Sequence, residues 1–86
     1  MNLSRNEQRV LHVLALGGHI RHDRNGTRKV TAATCFTRDG AVLAGFGLGT
    51  FQALRRKGLI ESRAGSPYAI SYRGRLAVRA QIDNQG

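Results

Sequence analysis

Residues 47–81 read GLGTFQALRRKGLIESRAGSPYAISYRGRLAVRAQ, and the fold turns on this stretch. Leu48, Phe51 and Leu54 recur every three residues, which gives a helix one narrow apolar stripe and leaves Gln52, Arg55, Arg56 and Lys57 elsewhere on its surface. Gly58 follows as the residue able to turn left-handed after the last helical turn. Leu59-Ile60 then begins one strand, and Tyr68, Ile70 and Tyr72 alternate with Ala69 and Ser71 in a second. Between them lies Ala64-Gly65-Ser66-Pro67, where Pro67, with no amide proton for a ladder, marks the rim of a hairpin. Ser71 has the side chain of an N-cap, and beyond it Leu76, Ala77 and Ala80 line up at helical spacing with Arg73, Arg75 and Arg79 outside. Helix, hairpin, helix in that order resembles the recognition-helix-to-wing half of a winged-helix module.

Upstream, Ser4 and Glu7 have the spacing of a capping box, so a helix should start near Arg5. Val10, Leu11, Val13, Leu14 and Leu16 form its apolar face, Arg5, Arg9 and His12 its solvated one, and Gly17-Gly18 its end. Residues 19–24, 29–37 and 40–44 read as a three-stranded antiparallel meander, with turn signals at Asn25-Gly26 and Asp39-Gly40. An ordinary winged helix has another helix in this interval, so the expectation is an α+β, winged-helix-like domain over residues 1–86. Its predicted order is N-terminal helix, meander, short helix, hairpin wing and C-terminal helix, with a polar, frayed tail from Ile82.

A chain of 86 residues builds one modest core, and a deep catalytic cavity is hard to form at that size. Fourteen Lys and Arg against five Asp and Glu give a net charge of +9, and all but two of the cations are arginine. The planar guanidinium suits phosphate or carboxylate in bidentate contact, so a polyanion or an acidic protein surface is the expected partner. No apolar run approaches the ~20 residues that span a bilayer, and MNLSRNEQR has no apolar segment of a signal peptide. Lone Cys35 fits a reducing cytoplasm.

No motif for catalysis or cofactor binding stands out. Gly45-x-Gly47-x-Gly49 lacks the Lys-Ser/Thr of a phosphate loop and reads as a turn before a helix. His12, His19 and His22 have no companion ligands at metal spacing, the five carboxylates are dispersed, and Cys35 sits in a strand as a small apolar residue. The candidate site is therefore a binding surface without metal or cofactor: Gln52, Arg55, Arg56 and Lys57 on the short helix, Arg63 on the wing, and Arg73, Arg75 and Arg79 on the last helix. Set in a DNA major groove, Gln52 could hydrogen-bond an adenine edge.

Four blocks in order, MNLSRNEQRVLHVLALGGHI, VTAATCFTRDG, LIESRAGSPYAI and VRAQIDNQ, resemble the YjhX-type toxin family, described as inhibitors of bacterial DNA topoisomerase I. The resemblance implies a cognate antitoxin, topoisomerase I as target and interference with DNA relaxation. Three readings stand: the non-catalytic inhibitor that the resemblance implies, a winged-helix DNA-binding regulator, and an RNA-cleaving toxin that would depend on a histidine.

Overall fold

Ser4 and Glu7 cap the first helix reciprocally, as their spacing requires. The Glu7 amide donates to Ser4 Oγ at 3.1 Å and the Ser4 amide to Glu7 Oε1 at 2.8 Å. The computed structural model describes residues 2–24 and 29–84, so the Asn25-Gly26 turn lies outside the described residues. Helix α1 covers Arg5–Ala15 and buries Val10, Leu11 and Leu14; Leu16 caps it and Gly17 ends it.

Strands β1 (His19–Arg24) and β2 (Val30–Phe36) pair antiparallel, His19 opposite Phe36 and Ile20 opposite Cys35, with a register shift between Asp23 and Arg24. The expected third strand does not form. Residues 40–44 contribute a single bridge, Val42 to Phe36, flanked by hydrogen bonds from Thr37 N to Ala41 O and from Leu43 N to Cys35 O. Two features cut the ladder short. The Ala44 carbonyl accepts from the Arg9 guanidinium, and Gly45 then takes φ +79° and turns the chain away.

Helix α2 (Leu48–Arg56) buries Phe51 and Leu54 as the stripe predicts, and Gly58 at φ +73° closes it. Strands β3 (Ile60–Glu61) and β4 (Ala69–Ile70) form a short hairpin, with Ala64 and Gly65 at positive φ in its turn. One bridge joins the hairpin to the first sheet: Ile20 and Tyr68 exchange two backbone hydrogen bonds of 2.8 Å. Phe51 and Tyr68 meet edge to face over this joint, 5.0 Å between centroids.

Helix α3 runs from Tyr72 to Asn84. Ser71 is its N-cap: Oγ accepts from Gly74 N at 3.0 Å and donates to Gly58 O at 2.7 Å, pinning the start of α3 to the end of α2. Three details correct the sequence reading. The strand stops at Ile70, so Tyr72 begins a helix and stands in solvent; the helix continues through Asn84 where fraying was expected; and the inward face is Gly74, Ala77 and Val78, not Leu76 and Ala80. Gly74 accounts for the last of these. A Cβ there would lie 2.3 Å from the Leu59 carbonyl oxygen, so only glycine lets α3 approach so closely, and that approach turns Leu76 outward.

The described residues thus form a small α+β structure of three helices and two small antiparallel sheets. Its core gathers Leu11 and Leu14 of α1, Ile20 and Cys35 of the first sheet, Phe51 and Leu54 of α2, and Leu59, Tyr68 and Ile70 of the hairpin.

Candidate functional site

Burial of Phe51 and Leu54 fixes the roll of α2 and leaves Gln52, Arg55 and Arg56 exposed. Lys57, one residue on, behaves differently. Its Nζ donates to Glu7 Oε2 at 2.7 Å and to the Asn2 carbonyl at 3.0 Å, which ties the end of α2 to the start of α1. Burial acts to raise the Glu7 carboxyl, but the hydrogen bonds from Lys57 and Ser4 and the Lys57 charge outweigh it and hold the group below the ordinary carboxylate range. The Lys57 charge is therefore matched inside the fold.

The Ser71–Gly58 link brings the first turn of α3 against the end of α2. Arg73 lies over Gly58, where an added Cβ would sit 3.5 Å from Arg73 Nη1. Arg55, Arg56 and Arg73 thus cluster about one joint. Arg75 and Arg79 stand one turn apart on the exposed side of α3, and Arg63 projects from the hairpin with its Nη2 3.8 Å from Glu61 Oε1. Both members of that last pair are exposed, so it contributes little.

Several cations elsewhere find partners within the structure. Arg9 holds the Ala44 carbonyl, Arg21 lies over the Phe36 ring at 6.0 Å, and Lys57 meets Glu7. Among the described residues no carboxylate pairs with Arg55, Arg56, Arg73, Arg75 or Arg79. These five repel one another across exposed ground, a field that an anionic surface would relieve.

Chemistry elsewhere is sparse. His19 stacks on Phe36 at 5.3 Å, and His22 packs edge-on to Tyr68 at 5.0 Å with its Nδ1 buried and without a hydrogen bond. Cys35 is fully buried, and burial pushes its thiol up to about 11, so it stays protonated and unreactive at neutral pH. Among the described residues no group of His, Cys, Asp and Glu is arranged to hold a metal, and no helix is long and apolar enough to cross a membrane. The glycines at 45, 47 and 49 form a turn and the first residues of α2, with Arg9 folded over Gly45.

Four large apolar residues stand in solvent: Leu16, expected on the apolar face of α1 but exposed at its C-cap, Val42, and, on α3, Tyr72 at 76% and Leu76 at 45% exposure, the last two missed by the sequence reading as surface residues. The signal was present. Taking Ser71 as N-cap puts Tyr72 and Leu76 four apart on one helix face, opposite Gly74 and Val78.

The chain matches one family model over residues 1–85, the YjhX toxin family, described as "Putative toxin of bacterial toxin-antitoxin pair". It is 70% identical to a UPF0386 protein of Cereibacter sphaeroides over 86 residues, covering 100% of this chain and 99% of the relative. It is 60% identical to a UPF0386 protein of Rhodospirillum rubrum over 86 residues, covering 100% and 96%. A third UPF0386 protein, from Beijerinckia indica, is 60% identical over 85 residues, covering 99% and 100%. No solved structure matches.

Proposed function

We propose that this chain, which belongs to the YjhX toxin family, is a non-catalytic toxin that binds bacterial DNA topoisomerase I in the cytoplasm and blocks relaxation of negatively supercoiled DNA. A cognate antitoxin is the partner that holds it in check. The contact surface comprises Gln52, Arg55 and Arg56 on α2, Arg63 on the hairpin, and Arg73, Arg75 and Arg79 on α3, all exposed. Lys57 stands at its edge and acts by fixing α2 to α1.

What carries the reading is the concentration of exposed cations on α2 and α3. Lys57 is ion-paired with Glu7, and Arg9 and Arg21 rest on a carbonyl and a ring, while Arg55, Arg56, Arg73, Arg75 and Arg79 are concentrated at the α2–α3 joint and along α3, exposed and, like Arg5, Arg24 and Arg38, without an acidic partner among the described residues. A topoisomerase must hold DNA with its own cations, so a basic inhibitor has two ways to interfere. It can grip an acidic part of the enzyme, or it can cover the DNA. We assign the first route, in keeping with the resemblance to a family described as topoisomerase I inhibitors.

A second reading follows from the exposure of Gln52 beside Arg55 and Arg56, with a hairpin behind them. In a winged-helix-like arrangement α2 would enter the major groove and Arg63 on the wing would meet the backbone, as in a DNA-binding regulator. Four phosphate contacts there would give log affinity a slope of about −3.6 against log salt.

A plasmid relaxation assay separates the two. Under the first reading, inhibition by the purified protein tracks the amount of topoisomerase and persists in excess DNA. Relief by excess DNA, together with a sequence-selective gel shift, would transfer the assignment to the regulator.

A further inference from the structure

Two apolar residues on the outside of α3, Tyr72 and Leu76, lie outside the core cluster. Tyr72 is 76% exposed and Leu76 45% exposed, and four residues apart on a helix they stand about 6 Å from each other on one face. At about 100° per residue, Arg79 and Arg75 flank this pair on one side and Arg73 on the other, while Gly74, Ala77 and Val78 face inward. No Asp or Glu occurs anywhere between Glu61 and Asp83. The outward face of α3 is therefore a short apolar stripe bordered on both sides by arginine.

We infer that this stripe is a docking strip for an amphipathic helix with an apolar seam bordered by Glu or Asp, supplied by the antitoxin. The identity of the partner rests on the toxin–antitoxin reading; the chemistry of the surface does not. Two anchors at helical pitch match the seam of a partner helix, and basic flanks match acidic ones in the manner of coiled-coil edge positions. A second copy of the chain is a poor occupant, because pairing α3 with itself brings six arginines together against only two carboxylates, the Asp83 of each copy. Single-stranded nucleic acid could stack a base on Tyr72 and pair phosphates with Arg75 and Arg79. It would gain nothing from Leu76. That leucine, left in solvent between the arginines, favours the helix.

The test uses the full chain and a fluorescein-labelled synthetic peptide of about three heptads, with Leu along the seam and Glu on both borders, which repels itself and stays single. A matching peptide with Gln in the seam keeps the charge, and an oligothymidylate of roughly a dozen nucleotides represents nucleic acid. Tyr72, Leu76, Arg75 and Arg79 are exposed, so Tyr72→Ala, Leu76→Ala and Arg75→Glu/Arg79→Glu should fold normally by circular dichroism. The Leu-seam peptide should bind. Each alanine variant should weaken it about tenfold and the double reversal should abolish it, while the Gln-seam peptide binds at least about tenfold more weakly. Arg55→Glu/Arg56→Glu/Arg63→Glu should leave peptide binding unchanged. Equal binding by wild type and Leu76→Ala would overturn the inference, as would tighter binding of oligothymidylate that is lost only with Tyr72. Neither measurement involves topoisomerase, so a failure of the proposed inhibition would appear separately.

Discussion

Gly74 and Gly49 occupy helices alike and should respond to alanine with opposite sign. Alanine ordinarily stabilises an exposed helical glycine by about 0.5–1 kcal/mol, because glycine loses more backbone entropy on folding. Gly49 in α2 has open space around its missing side chain, so Gly49→Ala should raise the thermal midpoint. At Gly74 the new Cβ would press on the Leu59 carbonyl, and Gly74→Ala should cost about 2–3 kcal/mol despite its better helix propensity. Thermal or urea unfolding of the two variants reads both signs. Glu7 offers a second test at this scale. Its carboxyl is held below the ordinary 4.5, so the stability it contributes is fully present above that pH and is lost as pH falls through the lowered value. Glu7→Gln should cost about 1–2 kcal/mol at pH 7, and the gap from wild type should close in acid below pH 4.5. A gap that stays constant down to pH 3 would mean that Lys57 does not stabilise the carboxylate.

The elements show how much could be read in advance. The three helices were legible because each carries its own punctuation: Ser4 with Glu7, Gly58 after α2, Ser71 before α3. The meander was not, because β-propensity in residues 40–44 says nothing of what happens to each carbonyl. Arg9, thirty-five positions away and expected on a solvated helix face, takes the Ala44 carbonyl. Arg9→Met should accordingly speed amide exchange across residues 41–47 and lower global stability by no more than about 1 kcal/mol. Unchanged exchange there would mean that the Gly45 turn holds the segment without Arg9. For the site, charge and exposure on α2 and α3 were visible in the sequence. Which cations the fold engages was not, since the Lys57–Glu7 pair spans fifty positions. Nor was the outward roll of Leu76, because leucine at helical spacing ordinarily marks the buried face, and here a glycine takes that place.

At the scale of the whole molecule, a net charge of +9 on 86 residues is carried unevenly. All five Asp and Glu lie outside residues 62–82, while that interval holds four arginines, and α2 adds two more shortly before the hairpin. Exposed charges are screened over about 8 Å at physiological salt, so a ligand must touch this surface to profit from it. The proposed action therefore requires direct contact with a partner. The central measurement is plasmid relaxation by topoisomerase I in the presence of the wild-type protein or the Arg55→Glu/Arg56→Glu/Arg63→Glu variant, with folding checked by circular dichroism. The account predicts inhibition by the wild type and at least about a tenfold loss of potency in the folded variant, the order expected when several interfacial charges are reversed together. Undiminished inhibition by that folded variant would contradict it.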